Sequence, residues 1–272
     1  MHTKFLDEIV PLYVVMKSKN QTAERVSHVD ASDNFVFRRS ELAYREAARM
    51  LHGDVLEIGT GSGYGTAIVA PHAATLTTVD KHDATASVKA GVKFRRMRVP
   101  PLDFADRSFD CVIAFQVVEH IRRDSELLGE IRRVLRPGGL LIISTPNRPM
   151  SLTRNPWHIR EYTADEFGAL LRAAGFGQVE AMGVFGRQRV MEYYENNRRS
   201  VARIARFDVL GVQKWLPRVL LRVPYDILNR MNRRRLLRAD ETLAAGISTD
   251  DYYLAPIADG AFDLFYTARK EA

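Results

Sequence analysis

The stretch that most constrains this chain is Val55-Leu56-Glu57-Ile58-Gly59-Thr60-Gly61-Ser62-Gly63. Its apolar first half, interrupted by a single carboxylate, reads as a buried β-strand. It runs directly into glycines at alternate positions, Gly59, Gly61, Gly63 and Gly65. Glycine adopts positive φ at little cost and lets a ligand approach the backbone closely. A glycine loop that follows a strand and opens a helix is suited to hold a nucleotide-like molecule.

The flanking pattern supplies the sheet that such a loop needs. Helix formers from Phe35 lead to a stop at Gly53, and the helix after the glycine loop ends at Pro71. Further strands are expected at 75–79, 92–99, 109–115 and 140–144, separated by helical stretches at 84–90 and 125–135. A capping box, Thr163 with Glu166, opens a helix over 163–174. Strands at 178–184 and 262–268 are expected to pair antiparallel. The fold class is therefore α/β: a Rossmann-like, doubly wound, mostly parallel seven-stranded sheet with an antiparallel last strand and a helical insertion between the last two strands. The organisation expected is an N-terminal helical extension over 1–41, with a helix around Thr3 to Met16, a core domain over 42–185 and 251–272, and a basic helical insertion over 186–250.

Charge separates the insertion from the core. The chain carries a formal net charge of +7, but 14 Lys/Arg against 4 Asp/Glu between Arg187 and Arg238 put +10 there, leaving −3 for the remainder. Within the insertion, Trp215, Leu216, Val219, Leu220 and Val223 fall on one helical face, with Lys214, Arg218, Arg222, Arg230 and the run Arg233-Arg234-Arg235 around them. Three roles fit: a lid over an acceptor pocket, a contact to a phosphorylated acceptor or an anionic membrane, or a solvated face whose apolar residues pack on the domain. The one cysteine, Cys111, excludes an intrachain disulfide and reads as a core residue. The absence of a signal-peptide pattern or a long apolar run predicts a cytoplasmic protein, with peripheral attachment to the inner face of a membrane left open.

The loop itself separates two ligand classes. A dinucleotide fingerprint requires G-x-G-x-x-G, and here its third glycine would fall at Tyr64. Glu57 also stands where a dinucleotide site has an apolar residue. A carboxylate near the loop suits S-adenosylmethionine, which has an ammonium group and a sulfonium and no pyrophosphate to repel. Asp80, 21 residues after Gly59, can accept hydrogen bonds from ribose hydroxyls.

These blocks, together with Ser108-Phe109-Asp110-Cys111-Val112, Val117-Val118-Glu119-His120-Ile121 and Val134-Leu135-Arg136-Pro137-Gly138-Gly139-Leu140, resemble class I S-adenosylmethionine-dependent methyltransferases. The branch resembled includes ubiquinone-biosynthesis O-methyltransferases and many small-molecule and sugar methyltransferases. The resemblance runs from about Leu42 to Val184 and resumes in the final strand. It implies S-adenosylmethionine as methyl donor, with Gly59, Thr60, Gly61 and Gly63 forming the loop around its methionine part and Glu57 acting on the amine through water or the loop backbone. Asp80, with Lys81 beside it, would hold the ribose, and Phe115 and Gln116 would lie beside the sulfonium. Many relatives bind the adenine amino group with an Asp after strand three; that position falls near Arg98, so the backbone near Val99 is expected to serve instead. Some ubiquinone-type relatives hold a divalent metal on Glu-x-x-Glu-His. Here the first position is Gln116, one carboxylate is lost, and no metal is expected.

Methyl transfer is an in-line displacement that depends on positioning, and an oxygen or nitrogen nucleophile can use a base. His120, with Glu119 beside it, follows strand four on the ligand edge. His158 lies in the loop Asn155-Pro156-Trp157-His158-Ile159-Arg160-Glu161-Tyr162, which resembles methyltransferases encoded with glycan-building enzymes. The acceptor expected is a small molecule, with a sugar, glycan or lipid-linked intermediate foremost. A nucleic-acid methyltransferase is favoured only by the basic insertion, and a non-catalytic binding protein is disfavoured by the intact loop.

Overall fold

The computed structural model describes Val26 and residues 29–84, 91–206 and 216–271. The helix expected around Thr3 to Met16, nearly all of the one at 84–90, and Lys214 and Trp215 lie outside the described residues. The first long helix, α1 (Asn34–Ala48), precedes β1 (Asp54–Ile58), α2 (Tyr64–Val69), β2 (Thr75–Asp80) and β3 (Lys93–Arg96). Then come β4 (Phe109–Phe115), α3 (Asp124–Val134), β5 (Leu135–Pro146), α4 (Ala164–Ala173) and β6 (Phe176–Gly186). The remainder is α5 (Gln188–Ala205), α6 (Arg218–Ala239), α7 (Glu241–Ala245), β7 (Tyr252–Pro256) and β8 (Asp263–Lys270).

The strands form one sheet in the order β3-β2-β1-β4-β5-β8-β6-β7. Pairing is parallel from β3 to β5, and β8 runs antiparallel to both β5 and β6. The sheet has eight strands rather than seven: Tyr252–Pro256, just after the insertion, pairs antiparallel with the free edge of β6. Five residues ending in a proline are too short an alternation to stand out in sequence, and the partner edge decides the pairing. The boundary expected at 41/42 falls inside α1, whose Phe35, Phe37 and Leu42 are all buried.

Alternation along each strand feeds two cores. Val55, Cys111, Ile113 and Leu140 face the layer formed with α1 and α5. Leu56, Val112, Ala114 and Leu141 face the layer formed with α3 and α4. The apolar spacing of α3 places Leu127, Leu128, Ile131 and Val134 in that second layer, all fully buried. The capping box of Thr163 and Glu166 is formed as the sequence indicates. Two residues of the motif blocks serve the opposite end of the sheet: Arg136 bridges Asp54 (2.9 Å) and Asp110 (2.5 Å) at the amino ends of β1 and β4.

Candidate active site

The carboxyl ends of β1, β2 and β4 converge on one crevice, as in any open parallel α/β sheet. The loop after β1 is shaped by Gly59, Gly61 and Gly63, all at positive φ (94°, 56° and 79°). A Cβ on Gly59 would stand 2.5 Å from Val117 Cγ2, whereas one on Gly61 would meet nothing within 4 Å. The first glycine thus permits close packing beneath the loop, and the second leaves its outer side open to a ligand. The loop is tied down by hydrogen bonds from the amides of Gly59 (2.8 Å) and Thr60 (3.3 Å) to the Val79 carbonyl. The Thr60 and Thr78 hydroxyls are also bonded, at 2.5 Å.

Asp80 stands at the end of β2. Its two carboxylate oxygens accept from the Gly61 amide (3.0 Å) and the His82 amide (2.8 Å). Those bonds fix its orientation against the loop, and each oxygen keeps a further lone pair for a ligand hydroxyl. Lys81 is exposed beside it, and Val99 is half-buried beyond β3.

Glu57, expected to act on the amine through water or the loop backbone, has no direct place in the crevice. It is buried beneath the loop, where it accepts from Thr66 (2.5 Å) in α2 and Thr78 (2.8 Å) in β2. It therefore ties β1, β2 and the start of α2 together, and its contribution to a ligand amine passes through the loop it supports. Burial raises the Glu57 carboxyl above the ordinary carboxylate range, with the two threonine hydroxyls opposing. A folded-state pKa above the unfolded value stabilises the protein fully below the unfolded value, about 4.3, and that contribution is lost as pH rises through the folded value. Glu57→Gln keeps an acceptor for both threonines and removes the titration. Its thermal stability relative to the wild type is expected to rise as pH increases from about 4. A stability difference that stays constant from acid to neutral pH would show that burial is not the cause.

Phe115, expected beside the sulfonium, packs inward: its ring meets Tyr44 edge-on at 4.8 Å and stacks on Phe265 at 6.2 Å. Gln116 takes over the strand end. Its φ of 55° is uncommon for a side-chain-bearing residue and turns the chain out of β4. Its amide donates to the Ser144 carbonyl (3.0 Å).

A short 3-10 turn, Val118–His120, follows. Glu119 is fully buried, accepts from the Thr145 hydroxyl (3.1 Å), and its carbonyl accepts from the amides of Ile159 (2.7 Å) and Arg160 (3.2 Å). The loop after β5 is thus docked onto the end of β4, and it brings the two histidines together. The rings of His120 and His158 are 5.0 Å apart and nearly perpendicular.

Hydrogen-bond partners separate their roles. His120 Nδ1 is 3.0 Å from the Trp157 carbonyl, which only accepts, so Nδ1 carries the proton and Nε2 is the basic nitrogen of the neutral ring. His158 is 9% exposed. Its Nδ1 donates to Glu161 (2.6 Å), and its Nε2 accepts from the Asn155 side-chain amide (2.9 Å). That amide's orientation is set by its own oxygen, which accepts from the Trp157 amide (3.0 Å). His158 is therefore held by a carboxylate and an amide, and the proton on His120 Nδ1 leaves Nε2 as the basic nitrogen of that ring.

Glu119, His120 and His158 also bring one donor atom each within 4.8 Å of one another, a spacing that could hold a cation. Against the expectation of no metal, these three residues form a possible ligand set. In this arrangement both nitrogens of His158 and one oxygen of Glu119 are engaged by protein groups, so coordination would require the network to open, and no catalytic step is assigned to a metal.

One residue of the site escaped sequence reading. Asp263, the first residue of β8, is 2% exposed and forms an ion pair with Arg39 of α1 (2.8 Å). Burial raises its carboxyl pKa, with Arg39 opposing, and Gln116 and His158 face the same group. Because β8 runs antiparallel to β5, its start lies at the same edge as the end of β4. The available signal was a single acidic residue opening the apolar run Phe262 to Ala268.

A glycine loop after β1, an acidic residue closing β2 and a histidine pair beyond β4 define a nucleotide-cofactor enzyme of the doubly wound class. A family model described as a methyltransferase domain matches residues 33–181. The chain is 34% identical over 252 residues to a probable S-adenosylmethionine-dependent methyltransferase of Mycolicibacterium smegmatis, covering 89% of this chain and 90% of that protein. It is also 34% identical over 114 residues to a ubiquinone biosynthesis O-methyltransferase of Rhizobium leguminosarum, covering 39% of this chain and 45% of that protein. Among solved structures, a methyltransferase of Thermotoga maritima described as a possible histamine N-methyltransferase shares the fold, with a TM-score of 0.54 and 16% identity over 87% of this chain and 92% of that one. The chain belongs to the methyltransferase-domain family and is an S-adenosylmethionine-dependent methyltransferase.

Proposed function

We propose that this methyltransferase O-methylates a small polar acceptor, a sugar or glycan, lipid-linked forms included. The observation that carries this reading is the acceptor side of the crevice, where His120, His158 and Asn155 form a hydrogen-bonded wall with Trp157. Such a wall recognises hydroxyl groups, and losing one matched hydroxyl is costly where the site's polar partners are then left unpaired. S-adenosylmethionine supplies an electrophilic methyl group, leaving as S-adenosylhomocysteine. Asp80 and the Gly59–Gly63 loop position that donor, with Lys81 and the backbone near Val99 toward the adenosine. Gln116 marks the approach to the sulfonium. The acceptor oxygen bonds to the methyl carbon as the carbon–sulfur bond breaks, and His120 Nε2 takes the hydroxyl proton. Asp263 and Glu119 hold the surrounding groups in place. Helix α6 of the insertion braces the acceptor loop through Arg218, Arg222 and Asp226.

The test is transfer of labelled methyl groups from S-adenosylmethionine to a panel of alkyl glycosides and oligosaccharides, catechols and RNA. Label is expected in the carbohydrates. Robust transfer to catechol or RNA with none to any carbohydrate would refute the acceptor class.

A further inference from the structure

We propose that α6 is a membrane-docking helix that lies along an anionic bilayer surface. A helix on the outside of a globular protein normally turns its apolar stripe inward and its charges outward. In α6 this arrangement is inverted. Six of the eight exposed large hydrophobic side chains among the described residues are on this one helix: Val219, Leu220, Val223, Ile227, Leu228 and Met231, each 47–69% exposed. At 100° per residue they share one face, with 219, 223, 227 and 231 in a row along it.

Apart from Leu236 and Leu237, which pack against the core near its C-terminal end, the inward face of α6 is polar, and its contacts fix the helix in this rotation. Arg218 donates to the Ile159 carbonyl (2.9 Å), and the Arg222 guanidinium lies 4.4 Å from the Trp157 ring centre. Asp226 accepts from Trp157 Nε1 (3.0 Å). Arg230 (3.0 Å) and Arg233 (2.8 Å) both pair with Asp33, which is fully buried. Asn232 accepts from Ser200 (2.6 Å) and donates to Asn197 (2.7 Å) of α5. Rolling α6 to bury its apolar row would break the Asp33 ion pairs and leave a buried charge without its partners.

The charge on the outer face identifies the occupant. Past Met231 the same face continues with Arg234, Arg235 and Arg238, all exposed. The only acidic residue of α6 is Asp226, which faces inward to Trp157. An apolar stripe continued by arginines matches the boundary between acyl chains and anionic headgroups. A second copy packed through the same face would bring its arginines against a helix whose one acidic residue, Asp226, faces inward. No helix among the described residues is long and apolar enough to cross a membrane, so the contact is along the surface. The inner face of α6 grips the loop that carries His158, which places the acceptor side of the crevice about one helix diameter, roughly 10 Å, from the bilayer. The docking rests on α6 alone and stands whatever the acceptor proves to be.

The experiment is flotation of the full chain with vesicles of phosphatidylcholine, with and without phosphatidylglycerol. The variants are Leu220→Asp/Ile227→Asp and Arg234→Gln/Arg235→Gln/Arg238→Gln, each checked for S-adenosylmethionine binding as evidence of folding. The wild type is expected to bind the anionic vesicles at least about tenfold more tightly than the neutral ones, and less tightly at high salt. The aspartate pair is expected to abolish binding, and the glutamine triple to weaken it at least about tenfold on anionic vesicles only. No wild-type binding to anionic vesicles, or equal binding by wild type and aspartate variant, overturns the proposal. So does a concentration-dependent dimer that the aspartate pair dissolves while vesicle binding is lacking, which would assign the face to a second copy.

Discussion

Asp80→Ala is expected to weaken S-adenosylmethionine binding by about a hundredfold while the protein stays folded. Hydrogen bonds to a charged group contribute about 1.5–3 kcal/mol each, and a carboxylate spanning two ribose hydroxyls supplies two of them. Even the lower end of that range for two bonds exceeds about 2.8 kcal/mol, a hundredfold in affinity. The fold should tolerate the change because Asp80 ends β2 beside exposed residues, where water can take over the Gly61 and His82 amides. Asp80→Asn retains one acceptor oxygen and should lose less. Calorimetric titration with S-adenosylhomocysteine, alongside a thermal melt, checks both. An unchanged affinity in the alanine variant would place the ribose elsewhere in the crevice.

The second large effect is expected at His120. His120→Asn places an amide nitrogen near the position of Nδ1, so the bond to the Trp157 carbonyl can be kept while Nε2 is removed. General-base contributions are typically about 10²–10⁴-fold, and a loss of that order in kcat is expected with donor affinity unchanged. His158→Asn should behave differently. Both nitrogens of His158 are held by Asn155 and Glu161; asparagine can keep the bond to Glu161, but it removes the Nε2 acceptor of the Asn155 amide and loosens the loop after β5. A raised KM and a lowered Tm are therefore expected, with a smaller fall in kcat. Single-turnover rates separate the two variants, and a loss of kcat at His158 that exceeds the loss at His120 would exchange their roles.

The central strands, the glycine loop and the capping box at Thr163 were legible because each depends on neighbours in the chain. A strand buried on both faces shows as an apolar run, and a loop needing positive φ shows as glycine. The edge strand Tyr252–Pro256 was not legible, since its pairing is set by the exposed side of β6. Phe115 and Gln116 were adjacent candidates with equal claims. The left-handed turn at Gln116 sends one side chain into the core against Tyr44 and leaves the other at the crevice.

The sequence by itself determined the sheet's parallel core, the glycine loop with Asp80 beyond it, and the family. These follow from residue type and spacing over short distances, where backbone geometry leaves few alternatives. Only the tertiary structure decided that Glu57 supports the loop from beneath, that Arg39 and Asp263 meet at the crevice edge of the sheet, and that His120 and His158 are brought together by the loop after β5. It also decided the direction of α6. Helical periodicity shows that a face is apolar, but which face turns inward depends on the partners available, and here the ion pairs with Asp33 and the Trp157 contacts hold the polar face against the protein.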